Sequence, residues 1–455
     1  MIMRGLDDIL CLEDLNEANW ERIFQSYFKT KNVKVLDIGG QTKLDGINEQ
    51  YNSDIKKISL KLSINGQDKE VHTFIKVPMD SILHDISGKL SLTFAKEIFW
   101  YQEGSVILGS KYPELEGISP TLFHGASTFQ EDFVSPGCCR KHCCFFAWCL
   151  CTKKEQGIMI MEDLTKRPQP YQMHNKINIL PLEHTKLVVD KVAHFHGAWW
   201  LLLNDKEFPS DFPLNQAKIK DIYAMKTPLG FEAMIRKMFQ SSFKNFGDMR
   251  IARGDDQVNI DVMLKSVKNM AKAVSSEFLG KNEHSVFRTL LHGDLWNNNI
   301  LFQLNADGSP KDVKFIDYQV SNIGHPAVDL CYLLYSCTDR QFRDQHLAQL
   351  LRSYFTIFSS YLSPHIPDIS FEQFYQDFQD RRAIGLVGGV LVMPNSLSPD
   401  QLTISGLNWQ RKLEGHRRKL FLSETSHPSV KELRRRVFDM IDEFEELGIF
   451  KKYAE

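Results

Sequence analysis

From Ile55 to Ile64 and again from Val71 to Val77 apolar and polar residues alternate, the period of a half-buried strand. Asn65-Gly66 between them is a two-residue hairpin turn, and Pro78 closes the returning strand because proline cannot donate to a ladder. Val33 to Ile38 shows the same alternation upstream. Leu15, Ala18, Ile23, Phe24 and Tyr27 recur at helical spacing within Glu13 to Phe28, so the pattern predicts a leading helix there. Leu92, Phe94, Ile98 and Tyr101 predict a second amphipathic helix over Leu90 to Leu108, carrying Glu97. Further strands are expected over Leu122 to Gly125, His142 to Cys151 and Gly157 to Met161. The first part of the chain therefore reads as helices around a mainly antiparallel sheet.

From Leu164 onward the period changes to that of helices. Long helical patterns cover Thr185 to Leu203, Gly230 to Phe243, Asp261 to Phe278, Phe371 to Val392 and Ser429 to Leu447. The convincing strands of this part are Ile300 to Phe302 and Val313 to Ile316, joined by the turn-rich Asp307-Gly308-Ser309-Pro310. With 455 residues the chain is long for one hydrophobic core. The expectation is an α+β chain of two lobes: residues 1–165 with a small antiparallel sheet, and a larger, mainly helical lobe over 166–455.

Composition adds exclusions. A net charge of −2 argues against a nucleic-acid footprint, which needs a basic domain. No apolar run is long enough to span a membrane, and the first ten residues lack a signal-peptide pattern, so a cytoplasmic protein is expected. The nine cysteines are odd in number, in a large chain without an export signal, and reduced thiols are expected. Six of them fall at Cys138, Cys139, Cys143, Cys144, Cys149 and Cys151. Their spacing fits no familiar zinc finger, and the plainer reading is an apolar strand.

One stretch carries concentrated chemistry. His292-Gly293-Asp294 is followed by Asn299, five positions after the aspartate, and then by Asp317 at the end of an apolar strand. A chance match to H-G-D-x-x-x-x-N is expected on the order of once in a thousand chains of this length. One base and two oxygen ligands for magnesium are what phosphoryl transfer from ATP requires. Asp294 is the candidate base, since an alcohol attacks poorly unless a carboxylate takes its proton. Asn299 and Asp317 are candidate ligands for magnesium, a hard cation that prefers oxygen. His292 is read as holding the loop in shape rather than moving protons.

These residues, with Ile316-Asp317-Tyr318-Gln319 and Gly324-His325-Pro326-Ala327-Val328-Asp329-Leu330, resemble the CHK kinase-like, or ecdysteroid kinase-like, group. That group is related to choline kinases and aminoglycoside phosphotransferases. Met161-Glu162-Asp163-Leu164 resembles its hinge, and His194-Phe195-His196-Gly197-Ala198 a segment early in its helical lobe. The resemblance implies a protein-kinase-like fold with ATP between the lobes and a small-molecule hydroxyl acceptor. It implies that Lys76 contacts the ATP phosphates and pairs with Glu97, that Glu162 to Leu164 offer backbone bonds to adenine, and that Asp329 braces the catalytic loop. The phosphate loop would be Gly46 to Ser53, with a single glycine, and Gly39-Gly40 contributing. Gly293 and Gln319 depart from protein kinases, which have Arg and Gly there, and no A-P-E segment follows. These departures favour a small acceptor over a protein substrate. A nucleotide-binding pseudokinase acting through partners is the alternative from another class. Trp199 and Trp200 are read as core residues ahead of an acceptor pocket.

Overall fold

The computed structural model describes residues 6–40, 42–43, 53–78, 93–128, 156–205, 231–278, 285–399, 409–422 and 427–455. The chain divides into two compact units, one of Met1–Lys111, Glu116–Gln172 and Asp317–Gln319, the other of Tyr112–Leu115, Met173–Ile316 and Val320–Glu455. The sheet lies in the first and most helices in the second, an α+β architecture.

The first unit opens with α1 (Glu17–Phe28), which starts later than its apolar pattern because Asn16 caps it, its side chain accepting the amide of Asn19 at 2.9 Å. Its sheet contains β1 (Val33–Ile38), β2 (Ser53–Ile64), β3 (Gln67–Pro78), β4 (Leu122–Ser127) and β5 (Gly157–Glu162), in the antiparallel order β1-β2-β3-β5-β4. Asn65 and Gly66 both have positive φ at the β2–β3 turn. Trp20, Ile23 and Phe24 of α1 pack with Ile58, Leu60, Leu62, Ile75 and Ile160 of the sheet to form this unit's core. The register sets Lys76 between Ile55 and Met159 on the central strand. α2 (Thr93–Phe99) carries Glu97 and runs through a π turn (Trp100–Gly104) into α3 (Ser105–Lys111).

In the second unit α4 (Leu182–Asn204), α5 (Phe231–Arg253) and α6 (Gln257–Phe278) precede the His292–Asn299 motif. Three-residue strands β6 (Thr289–Leu291) and β9 (Asn322–Gly324) pair with each other on either side of it. Between them β7 (Ile300–Leu304) and β8 (Pro310–Phe315) form a hairpin, closed by Gly308 at positive φ and by Asp307 accepting the Ser309 amide. α7 (Ala327–Cys337), α8 (Arg340–Leu362), α9 (Phe371–Arg381), α10 (Trp409–Leu422), α11 (Pro428–Glu446) and α12 (Ile449–Ala454) follow. The single helix expected over Phe371 to Val392 stops at Arg381. Short turns replace it, ending in a π turn over Gly388–Val392. Glycines let these turns pack closely: a Cβ on Gly385 would lie 2.4 Å from the Tyr335 ring, and one on Gly388 3.1 Å from the Ser336 amide. The departure begins at Arg382, and the glycines that follow bring the chain hard against α7.

The strand expected over His142 to Cys151, the cysteine group and most of the Gly46 to Ser53 loop lie outside the described residues.

Candidate active site

In the first unit a charged centre is buried. Lys76 Nζ donates to Glu97 at 2.6 Å and to Asp317 at 2.8 Å, and all three side chains are almost wholly shielded from solvent. Burial alone would lower the Lys76 pKa, but the carboxylates of Asp317 and Glu97 outweigh it and hold the ammonium above its ordinary range. Burial pushes the Glu97 carboxyl up to about 7. One cation faces two carboxylates, so the centre has unbalanced negative charge in a low-dielectric place.

Asp317 adopts φ 68°, a left-handed conformation that aspartate tolerates better than most residues. Its amide donates to the hydroxyl of Tyr101 at 3.1 Å, and Gln319 reaches its second carboxylate oxygen at 3.3 Å. Tyr318 stacks on Trp100 with ring centroids 4.0 Å apart, which anchors the segment from the other side. Tyr101 lies four residues after Glu97, on the same helix face. It was not among the residues the motif identifies, although its spacing from Glu97 could have pointed to it.

Where β5 ends, the amide of Glu162 donates to Thr121 and that of Asp163 to His72. The Glu162 carboxylate is held by Arg167, at 2.5 and 2.6 Å, so its side chain is engaged. Asp163 caps a short 3-10 turn beginning at Leu164 and pairs with Lys57 at 2.8 Å. As the first residue of that turn, Leu164 has an amide with no partner inside the turn.

In the second unit the motif forms a tight loop. Gly293 sits at φ 83°, and a Cβ there would lie 2.6 Å from the carbonyl oxygen of Val320. The Asp329 carboxylate accepts the amides of His292 at 2.7 Å and Gly293 at 2.9 Å. Asp329 is fully buried, yet the His196 ring at 3.1 Å, with His292 and the Gly293 amide, holds its pKa below the usual range against that burial. His196 also bonds the Tyr354 hydroxyl at 2.7 Å. The His292 ring bonds the carbonyl of Ile316 at 3.1 Å and accepts the Asp294 amide at 3.3 Å, spanning the loop.

Both oxygens of Asp294 are held. Tyr332 donates to one at 2.6 Å and the Asn299 side-chain NH2 to the other at 2.9 Å. The same NH2 reaches the Asp294 carbonyl at 2.8 Å, so Asn299 turns its amide nitrogen inward. Asn299 ends a 3-10 turn, Asn297–Asn299, and its carbonyl accepts the amide of Ile316 at 3.1 Å. Asp317 is the next residue of the chain.

Of the other candidates, Gly46 lies outside the described residues and Ser53 is described by its backbone alone, at the start of β2. Gly39 donates its amide to Ser59 at 2.8 Å. Trp199 and Trp200 are buried in α4, the latter donating to the Val286 carbonyl at 2.8 Å.

Three comparisons bear on this arrangement. No curated protein matches the chain. A solved choline kinase from Cryptosporidium parvum Iowa II shares 12% identity over 95% of this chain and 93% of its own, with a TM-score of 0.39. A microcompartment-associated aminopropanol kinase shares 10% identity over 95% of this chain and 99% of its own, with a TM-score of 0.40. The profile of the ecdysteroid kinase-like family matches residues 48–364, most of the chain, and includes Lys76, Glu97, Asp294, Asn299 and Asp317. The chain thus belongs to the ecdysteroid kinase-like family, and with that membership it is a small-molecule kinase.

Proposed function

We propose that the protein transfers the terminal phosphoryl group of ATP, with magnesium, to a hydroxyl of a small molecule of steroid, choline or other alcohol type. The observation that carries this reading is the orientation of Asn299. Its NH2 is spent on Asp294, which leaves its carbonyl oxygen for a hard cation, while the carboxylate it steadies is the candidate base.

Magnesium fits the donors present. Asp317 and Asn299 offer a carboxylate and an amide oxygen, and the excess negative charge around Lys76 favours a cation. Among the described residues no group of three or more His, Cys, Asp or Glu side chains could hold a metal. This suits an ion that takes its remaining ligands from phosphates and water. When bound, magnesium would neutralise charge on the phosphates. Lys76 would neutralise more, held in place by Glu97. The carbonyl of Glu162 and the amide of Leu164 would meet the adenine edge. Asp294 takes the acceptor's hydroxyl proton as the new O–P bond forms and the bond to the leaving ADP breaks. We place the reaction in the cytosol, in keeping with the free thiols of Cys11, Cys331 and Cys337.

Purified protein incubated with magnesium-ATP and a metabolite pool should yield a phosphorylated product. Asp294→Asn should remove at least about 100-fold of that rate, the size of a general-base contribution. The variant should keep the rise in melting temperature on adding magnesium-ATP, because a ligand binding only the native state stabilises it. Undiminished product formation by Asp294→Asn would remove the base assignment.

A further inference from the structure

The helix after the catalytic motif carries a polar group that the family pattern leaves without a role. α7 is buried along its whole length, so each polar side chain on it needs a partner. Asp329 and Tyr332 are three residues apart and share one face. Asp329 accepts the amides of His292 and Gly293, and the Tyr332 phenol donates to the carboxylate of the next residue, Asp294. One helix face thereby grips three successive loop residues, two by backbone and one by side chain.

We infer that Tyr332 is a positioning residue for the reaction: together with Asn299 it fixes the Asp294 carboxylate in the direction from which an acceptor hydroxyl must approach. This rests on the reading of Asp294 as the base. Phenylalanine would fill the same space with no hydroxyl to satisfy, so shape alone does not call for tyrosine. Phe278 meets the ring edge-on with centroids 6.1 Å apart, and the Tyr332 main-chain carbonyl accepts the Ser336 hydroxyl at 2.6 Å. Burial and the neighbouring Asp294 charge hold the phenol well above its ordinary pKa, so it stays a donor. With both carboxylate oxygens engaged, the Asp294 side chain is held from two sides. A base turned away from the acceptor by about 1 Å loses on the order of 100-fold in rate.

The test is ADP formation from magnesium-ATP with water as acceptor, measured for wild type, Tyr332→Phe and Tyr335→Phe. Tyr335 lies on the same helix, but its hydroxyl serves Glu443 at 2.8 Å, away from the loop. Tyr332→Phe should lower kcat by about ten- to a hundredfold. Its KM for ATP should stay within about twofold, and the thermal shift by magnesium-ATP should be kept, since the phenol acts on the base. Tyr335→Phe should lower the melting temperature and leave kcat near wild type. Wild-type kcat in Tyr332→Phe, or an equal loss of kcat in Tyr335→Phe, would overturn the inference, the second by showing that only the integrity of α7 matters. A wild-type protein that forms no ADP and gains no stability from magnesium-ATP would instead overturn the kinase reading, and this one with it.

Discussion

At Gly293 a side chain is excluded twice, once by the left-handed φ of 83° and once by the Val320 carbonyl, 2.6 Å from where a Cβ would stand. Its presence where protein kinases carry arginine therefore has a backbone cause, independent of acceptor size. Gly293→Ala should displace the loop and lower turnover more than about tenfold, the scale expected when a catalytic group is misplaced. The magnesium-ATP thermal shift should persist, because Lys76 and Asp317 are unchanged. At Lys76 the issue is charge. Lys76→Met leaves Glu97 and Asp317 buried without their cation, and removing one partner of such a group typically costs about 3–5 kcal/mol. Chemical denaturation should show that loss, and an unchanged midpoint would contradict the pairing. The motif residues were legible because their spacing along the chain is their signature. Tyr101 and Tyr332 were not, since their partners come from distant parts of the sequence and only helix-face spacing from Glu97 and Asp329 hints at them.

Among the elements, β2 and β3 were readable from alternation and the Asn65-Gly66 turn, and their twelve residue pairs run in one continuous register. The strands β6 and β9 were not readable, because three residues show no period and each finds its partner some thirty positions away. α8 carries apolar spacing from Phe342 to Leu362, with Asp339 accepting the Phe342 amide at 2.9 Å as N-cap. Buried Arg343 interrupts that stripe. Its charge is answered by Glu443 of α11 at 2.6 Å, which also receives Arg382 at 2.6 Å and the Tyr335 hydroxyl. Such a network ties α7, α8 and α11 together, and no local pattern reveals it. The break after Arg381 was equally hidden, since apolar spacing continues through Gly385, Gly388 and Gly389 while packing forbids a Cβ. Gly385→Ala should destabilise the protein by about 1–3 kcal/mol through overpacking against Tyr335, read from its melting temperature. A stabilised variant would show that the Tyr335 ring can move aside.

For the molecule as a whole, buried ionisable groups set the dependence on pH. His325 is fully buried, and burial brings its pKa down to about 4, although the Asp377 carboxylate at 3.3 Å favours the charged ring. A histidine depressed in the folded state is neutral there. Its contribution is complete above its unfolded pKa, near 6.5, and is lost as pH falls toward 4, because the unfolded chain then binds the extra proton. The loss amounts to roughly 3 kcal/mol. Melting temperatures across this window should fall more steeply for wild type than for His325→Gln, and parallel curves would contradict the assignment. Among the described residues no helix is long and apolar enough to cross a membrane. The central claim, that Asp294, Asn299 and Asp317 serve phosphoryl transfer from ATP to a small hydroxyl compound, is tested most directly by labelled transfer. Wild type and Asp317→Ala are each incubated with γ-labelled ATP, magnesium and a metabolite pool. Labelled small-molecule product from wild type, and a loss of more than about 100-fold in the variant, is the predicted result. Equal label transfer by both proteins would contradict it.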